Sequence, residues 1–183
     1  MSLFDDEEDY TPKYGASSSS QALGHDCGFR CIGYILGINP LAVSDFYGDW
    51  LIRRKGYTQE QAEDAIERGI TNEEIKHYFD DVYGRSTNKV SAMEYAREIV
   101  DPSNWEQSIR TAMNKFSDIT AGTILTADLG DGVYHDVIAN GINNSCVECY
   151  DPQNSCNMDV SFEDVKNITK IYNLSPLVKV ALI

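Results

Sequence analysis

The sequence has no run of about 18 apolar residues, so no helix long and apolar enough to cross a membrane is expected. Its first residues, Met-Ser-Leu-Phe-Asp-Asp-Glu-Glu-Asp, lack the basic and then apolar order of a secretory signal. Bases are scarce. There are 15 Lys and Arg against 29 Asp and Glu, a net charge of −14, which works against binding a nucleic-acid backbone. Partners are expected to be neutral or basic. Five cysteines are too few, and odd in number, for a disulfide scaffold. Without an export signal, the expected setting is the reducing cytoplasm, with free thiols. A free thiol is core filling, a metal ligand or a nucleophile.

What is present is enough for one packed core: 42% of the 183 residues are hydrophobic and 10% are aromatic. Residues 1–20 read as a disordered tail, an acidic run followed by Ser17 to Ser20. Residues 21–183 read as a single domain, expected to be monomeric.

The first hundred residues of that domain have a helical pattern. Cys27 to Leu36 is an apolar run closed by Gly37, and Asn39-Pro40 reads as a further stop. Thr58 with Gln61 spells a capping box for a helix to about Arg68, stopped by Gly69. Thr71 with Glu74 spells another, followed by a buried stripe of Ile75, Tyr78, Phe79 and Val82. Asp101-Pro102 reads as the start of a helix through about Asn114. Strand patterns follow, over Ile119–Leu125 and Gly132–Ala139. Asn140-Gly141 reads as a hairpin turn before Cys146–Asp151. Ser161 to Ile168 reads as a short helix and Leu177 to Ile183 as a last strand. Helices first and a mostly antiparallel sheet second define an α+β fold.

The chemistry concentrates at Cys27. A cysteine nucleophile needs a stabilised thiolate, a histidine in reach and a group that orients that histidine. Cys27 opens the first apolar helix, after Gly24-His25-Asp26, where free N–H groups favour a thiolate and an oxyanion. Of the three histidines, His25 is too close in sequence to reach Cys27 without a tight turn. His77 falls on the polar side of its helix. His135 sits mid-strand, and Asp151 ends the next strand sixteen residues later, within reach across a hairpin. Cys31 lies one turn inside the helix and reads as core filling. Cys146 and Cys149, with Cys156, carry a weak zinc pattern, but i and i+3 on a strand face opposite ways. No metal and no cofactor are expected.

Asp26-Cys27-Gly28-Phe29-Arg30-Cys31-Ile32 resembles the nucleophile segment of ovarian-tumour-type (OTU) deubiquitinases, and more closely that of nidovirus papain-like proteases. The order Cys, His, Asp is that of papain-like peptidases. The resemblance covers Cys27–Leu36 and Tyr134–Asp151, and it implies a papain-like fold. It also implies Cys27 as nucleophile, His135 as base and acid, and Asp151 as orienter. Gln21 and the Asp26 segment would then supply the oxyanion hole. The segment departs from the family in having Gly24-His25-Asp26 where OTU enzymes carry Asp-Gly-Asn. The expected activity is hydrolysis of peptide or isopeptide bonds after the Gly-Gly end of ubiquitin or a ubiquitin-like modifier, and of a viral polyprotein. The acidic surface suits the basic tail of such modifiers. Two other readings stay open. Asp151-Pro152-Gln153 resembles the triplet of papain-like glutamine deamidases of bacterial effectors, and a binding module with Cys27 as core thiol requires no catalysis at all.

Overall fold

The computed structural model describes residues 25–86, 95–99, 103–115 and 117–172. The tail over residues 1–20, Gln21, the Asp101-Pro102 helix start and the strand over residues 177–183 lie outside the described residues.

Four helices lead. Helix α1 (Cys27–Leu36) ends on Gly37 at φ 68°, where the residue without a Cβ takes the left-handed turn. Helix α2 (Pro40–Lys55) starts where a stop was expected. Asn39 is its N-cap, with its side chain accepting from the Leu41 amide, and Pro40 takes the first helical position. Asn-Pro ends one helix and begins the next because proline lacks only an N–H that the first turn does not use. Helix α3 (Gln59–Arg68) opens on the Thr58–Gln61 capping box. Helix α4 (Asn72–Ser86) opens on Thr71 and Glu74, which exchange backbone and side-chain hydrogen bonds.

The corner between α3 and α4 is clamped by Arg68 Nη2 donating to Glu74 Oε1 at 2.8 Å. Burial raises the Glu74 pKa, but the Arg68 and Thr71 contacts outweigh it and hold the carboxyl below its ordinary value. A depressed folded-state pKa contributes stability above the unfolded value, and that stability is lost as pH falls through the folded one. Glu74→Gln keeps an acceptor for Thr71 and removes only the charge. With Arg68 half exposed, screening limits the expected loss to about 0.5 kcal/mol at pH 7. Urea unfolding should show that gap closing in acid, and a gap independent of pH would remove the ionic explanation.

The sheet is six-stranded, in the order β1-β6-β2-β3-β4-β5, with every neighbouring pair antiparallel. Its strands are β1 (Tyr95–Ile99), β2 (Thr120–Asp128), β3 (Tyr134–Ile142), β4 (Cys146–Asp151), β5 (Cys156–Ser161) and β6 (Val165–Tyr172), and helix α5 (Trp105–Asn114) follows β1. The fold is α+β. Alternation along the strands gives the sheet two buried faces. On one, Ile124, Ile138 and Ile171 meet Phe29, Ile32 and Tyr47 of the helical half. On the other, Leu125, Val137 and Ile168 meet Ile109 and Ala112 of α5.

Three expectations are corrected. Helix α5 starts at Trp105 with Asn104 as N-cap. Residues 161–168 are not a helix: a single 3-10 turn over Phe162–Asp164 leads directly into β6. Asn140-Gly141 lies inside β3, at a register shift between Ala139 and Gly141. The turn falls instead at Asn143, whose side chain accepts from the amides of Ser145 and Cys146. Both devices use residues that tolerate unusual backbone geometry, which is why the Asn-Gly pair is ambiguous between a turn and a bulge.

Candidate active site

Strand β3 carries two adjacent residues with chemistry, and alternation sends them to opposite faces. His135 faces the side of Val137 and Ala139, which packs toward α5, whereas Asp136 shares the face of Ile138 with α1. Asp151, last in β4, lies on the His135 side. The hairpin sets the separation: Ile138 pairs with Tyr150, so Asp151 falls diagonally from His135. His135 Nε2 and Asp151 Oδ2 are 2.8 Å apart, and both residues are buried.

Asp151 is itself held in place. Its Oδ1 accepts from the amides of Gln153 at 2.9 Å and Asn154 at 3.3 Å, and its Oδ2 accepts from Asn154 Nδ2 at 2.7 Å. Burial raises its pKa, but the Asn154 and His135 contacts outweigh burial and keep the carboxyl below its ordinary value. An ionised carboxylate only accepts, so Nε2 carries the proton of the pair and Nδ1 keeps the lone pair in the neutral ring. Asn154 is a residue of this candidate site that sequence reasoning missed. Its signal was present, since Asp-Pro-Gln-Asn at a strand end is turn chemistry in which an aspartate binds the amides two and three residues on.

Cys27 arrives from the other half of the molecule. It is the first residue of α1, and its Sγ accepts from the Asp136 amide at 3.4 Å. That amide is free for the thiol because the β3–β4 ladder begins at Ile138, so residues 134–137 of β3 are paired only to β2. The sulfur therefore sits at the open edge of β3, within about 6 Å of the His135 Cα by standard backbone dimensions. Among the described residues no hydrogen bond joins Cys27 to His135. The structure thus brings His135 to Asp151, and Cys27 to the backbone one residue beyond His135.

A thiolate stabilised by the helix N-terminus was expected, and the opposite is found. Burial above all, then the Asp136 carboxylate and more weakly Asp26, push the Cys27 thiol up to about 12. The Asp136 and Gly28 amides pull the other way and do not prevail. Desolvation of a thiolate outweighs a half-charge at a helix end. The resting thiol is neutral, so any reaction of Cys27 as a nucleophile needs a base to take its proton.

Asp26 does not offer its side chain to an oxyanion. Its carboxylate pairs with Arg30 Nε at 2.7 Å, and a carboxylate has no proton to donate. The amides of the first turn of α1, which have no partner within the helix, are the donors at this point. Gly28 makes their close approach to the rest of the fold possible. A Cβ there would stand 2.8 Å from Ile70 Cγ2 and 3.2 Å from Asp136 Oδ2. Cys31 is fully buried in the helical core. His77 is exposed on α4. Cys146 bonds Asn143 while Cys149 is buried, and no cluster with metal-ligating composition occurs among the described residues.

The chain matches no protein-family model and no curated protein sequence.

Proposed function

We propose that this protein is a papain-like cysteine hydrolase with Cys27 as nucleophile, His135 as general base and then acid, and Asp151 as the residue that orients His135. The observation that carries this reading is the buried Nε2–Oδ2 bond of His135 and Asp151, with the Cys27 sulfur on the very next amide of the same strand. Nε2 is engaged by Asp151, which leaves Nδ1 for the thiol. For this chemistry the His135 ring has to approach the sulfur past the edge of β3 at residues 134–137, which pair only with β2.

The chemistry follows from those positions. Nδ1 takes the thiol proton as Sγ attacks a carbonyl carbon, and the amides of the first turn of α1 hold the oxyanion. The protonated ring gives that proton to the leaving amine, and water then hydrolyses the thioester with the same base. The substrate class rests on the Cys-Gly-Phe-Arg segment and the acidic surface. It is a peptide or isopeptide bond after the Gly-Gly end of a ubiquitin-like modifier, with a viral polyprotein as a further substrate, in the cytoplasm of the cell.

A second reading has one feature in its favour. Asp151-Pro152-Gln153 closes β4 as a turn, and the same thioester chemistry on a glutamine side chain releases ammonia. A ubiquitin chain ending in propargylamide separates the two. The hydrolase should form a covalent adduct at Cys27 within minutes, seen as an intact-mass increase equal to one modifier. Ammonia release from a protein glutamine without an adduct would replace this reading with the deamidase. Neither signal would leave Cys27 as a core thiol in a binding module.

A further inference from the structure

The residue after the base has a position that the triad does not require. Asp136 touches the nucleophile through its amide, and its carboxylate is placed beside the same helix end. Its Oδ1 accepts from Thr126 Oγ1 at 2.6 Å on the neighbouring strand β2. Its Oδ2 lies close to Gly28, the second residue of α1, where an added Cβ would stand 3.2 Å from it. A carboxylate is thus held by Thr126 beside the positive end of the helix that begins with Cys27.

We propose that Asp136 is a positioning residue for the nucleophile: its carboxylate stands beside the Cys27 sulfur at the N-terminus of α1, so that only one of them is ionised at a time. This rests on reading Cys27 as the nucleophile. Two anions cannot share a partly buried site at one helix end without mutual repulsion. With Asp136 ionised, the thiol keeps its proton and is protected from oxidation and stray alkylation. With Asp136 neutral, the charge that opposes the thiolate is gone and the Asp136 and Gly28 amides hold the sulfur. In that exchange the carboxylate gains a proton from solvent, and the thiol gives its own to His135 Nδ1.

The surroundings of the pair are consistent with this. Cys27 is faced by Asp26 and Cys31 from its own helix and by Asp136 from β3, and its neighbour Gly28 packs against apolar Ile70 at the α3–α4 corner. Asp136 is faced by Thr126 from β2, by Cys27 from α1 and by its neighbour His135. Asp26 is already committed to Arg30. Asp136 is therefore the acidic group whose charge most directly opposes a Cys27 thiolate. Burial raises its pKa, with Thr126, His135 and Cys27 partly offsetting the effect, which makes it the carboxyl best placed to give up its charge.

The test is the pH profile of Cys27 alkylation by iodoacetamide, read from the mass of the Cys27 peptide in the intact folded chain. Asp136→Asn keeps the shape and the acceptor for Thr126 and removes the charge. Its profile should move to lower pH by about one unit, so that alkylation at pH 7 is about tenfold faster than in the unaltered protein. A profile that stays in place or moves to higher pH overturns the proposal. Should Asp136→Asn fail to fold, Thr126→Val carries the test. Removing the hydroxyl that favours the ionised carboxyl should shift the Cys27 profile in the same direction, and an unmoved profile again overturns it. Alkylation uses no substrate, so a shifted profile in a protein that ignores the ubiquitin probe would remove the protease reading and leave this one standing.

Discussion

Replacing Cys27 with alanine is expected to abolish adduct formation with the propargylamide probe and to reduce turnover by at least about 10⁴-fold. No other thiol can take over. Cys31 is fully enclosed in the helical core, and Cys146, Cys149 and Cys156 belong to strands β4 and β5. The alanine variant should still fold and bind substrate, because alanine is well tolerated in a first helical turn. His135→Ala should be nearly as damaging, since a neutral thiol pushed up to about 12 needs a base at the moment of attack. The Asp151 variants separate two duties of one carboxylate. Asp151→Ala should cost about a hundredfold less than the loss of Cys27, because the ring and the oxyanion donors remain. Asp151→Asn keeps an acceptor for the turn amides but offers an N–H to Nε2, which favours the tautomer with Nδ1 protonated and removes the base. A protein killed by Cys31→Ser and spared by Cys27→Ser would show that the wrong thiol has been assigned.

How much of this was legible depended on whether a feature is local. Helix α1 and the boxes at Thr58–Gln61 and Thr71–Glu74 are specified within a few residues, and each is found where the pattern puts it. The His135–Asp151 bond was legible too, since sixteen residues across a hairpin returns one residue close to the other. The turn itself was misplaced: a turn at Asn140-Gly141 would set Cys146 opposite His135, and it is the later turn, after Ile142, that brings Asp151 diagonal to His135. Strands β1 and β5 gave no signal, and both are edge strands. In β5 only Val160 is buried, so the alternation that marks a strand is missing. Strand β6 misled for the opposite reason. It is central, yet it buries Thr169 and Lys170, whose polar character hides a strand. Lys170 is tolerated there because its ammonium reaches the Met113 carbonyl near the end of α5, where a helix presents unpaired acceptors.

The contact of Cys27 with Asp136 was not legible. It joins residues 109 positions apart and depends on a helix docking onto a strand exactly where a ladder stops. The expectation of a stabilised thiolate failed for the same reason. Helix position can be read from sequence, whereas desolvation and a carboxylate from a distant strand cannot.

That docking has a weak point at Gly69, which supports the second large expected effect. Gly69, between α3 and α4, has φ 88° and ψ 163°, a region essentially reserved for glycine. A Cβ there would stand 2.2 Å from the His25 carbonyl oxygen, a backbone atom two residues before the nucleophile. The neighbour cannot turn aside as a flexible side chain would. Either the α3–α4 corner or the His25-Asp26-Cys27 turn must move. Gly69→Ala is therefore expected to cost about 2–5 kcal/mol, combining backbone strain with overpacking. Gly37→Ala is the control. Its φ of 68° is also left-handed, but nothing lies within 4 Å of the added Cβ, so only about 1 kcal/mol of strain should appear. Urea midpoints measure both. The same steric argument reaches the site, because a displaced His25 carbonyl carries Cys27 away from the Asp136 amide and from His135. Gly69→Ala should thus slow probe labelling by about a hundredfold under conditions where the protein remains folded, whereas Gly37→Ala should label at the normal rate. Equal stability of the two variants would show that the His25 turn yields freely. Normal labelling by a destabilised Gly69→Ala would show that the position of Cys27 does not depend on the corner beneath it.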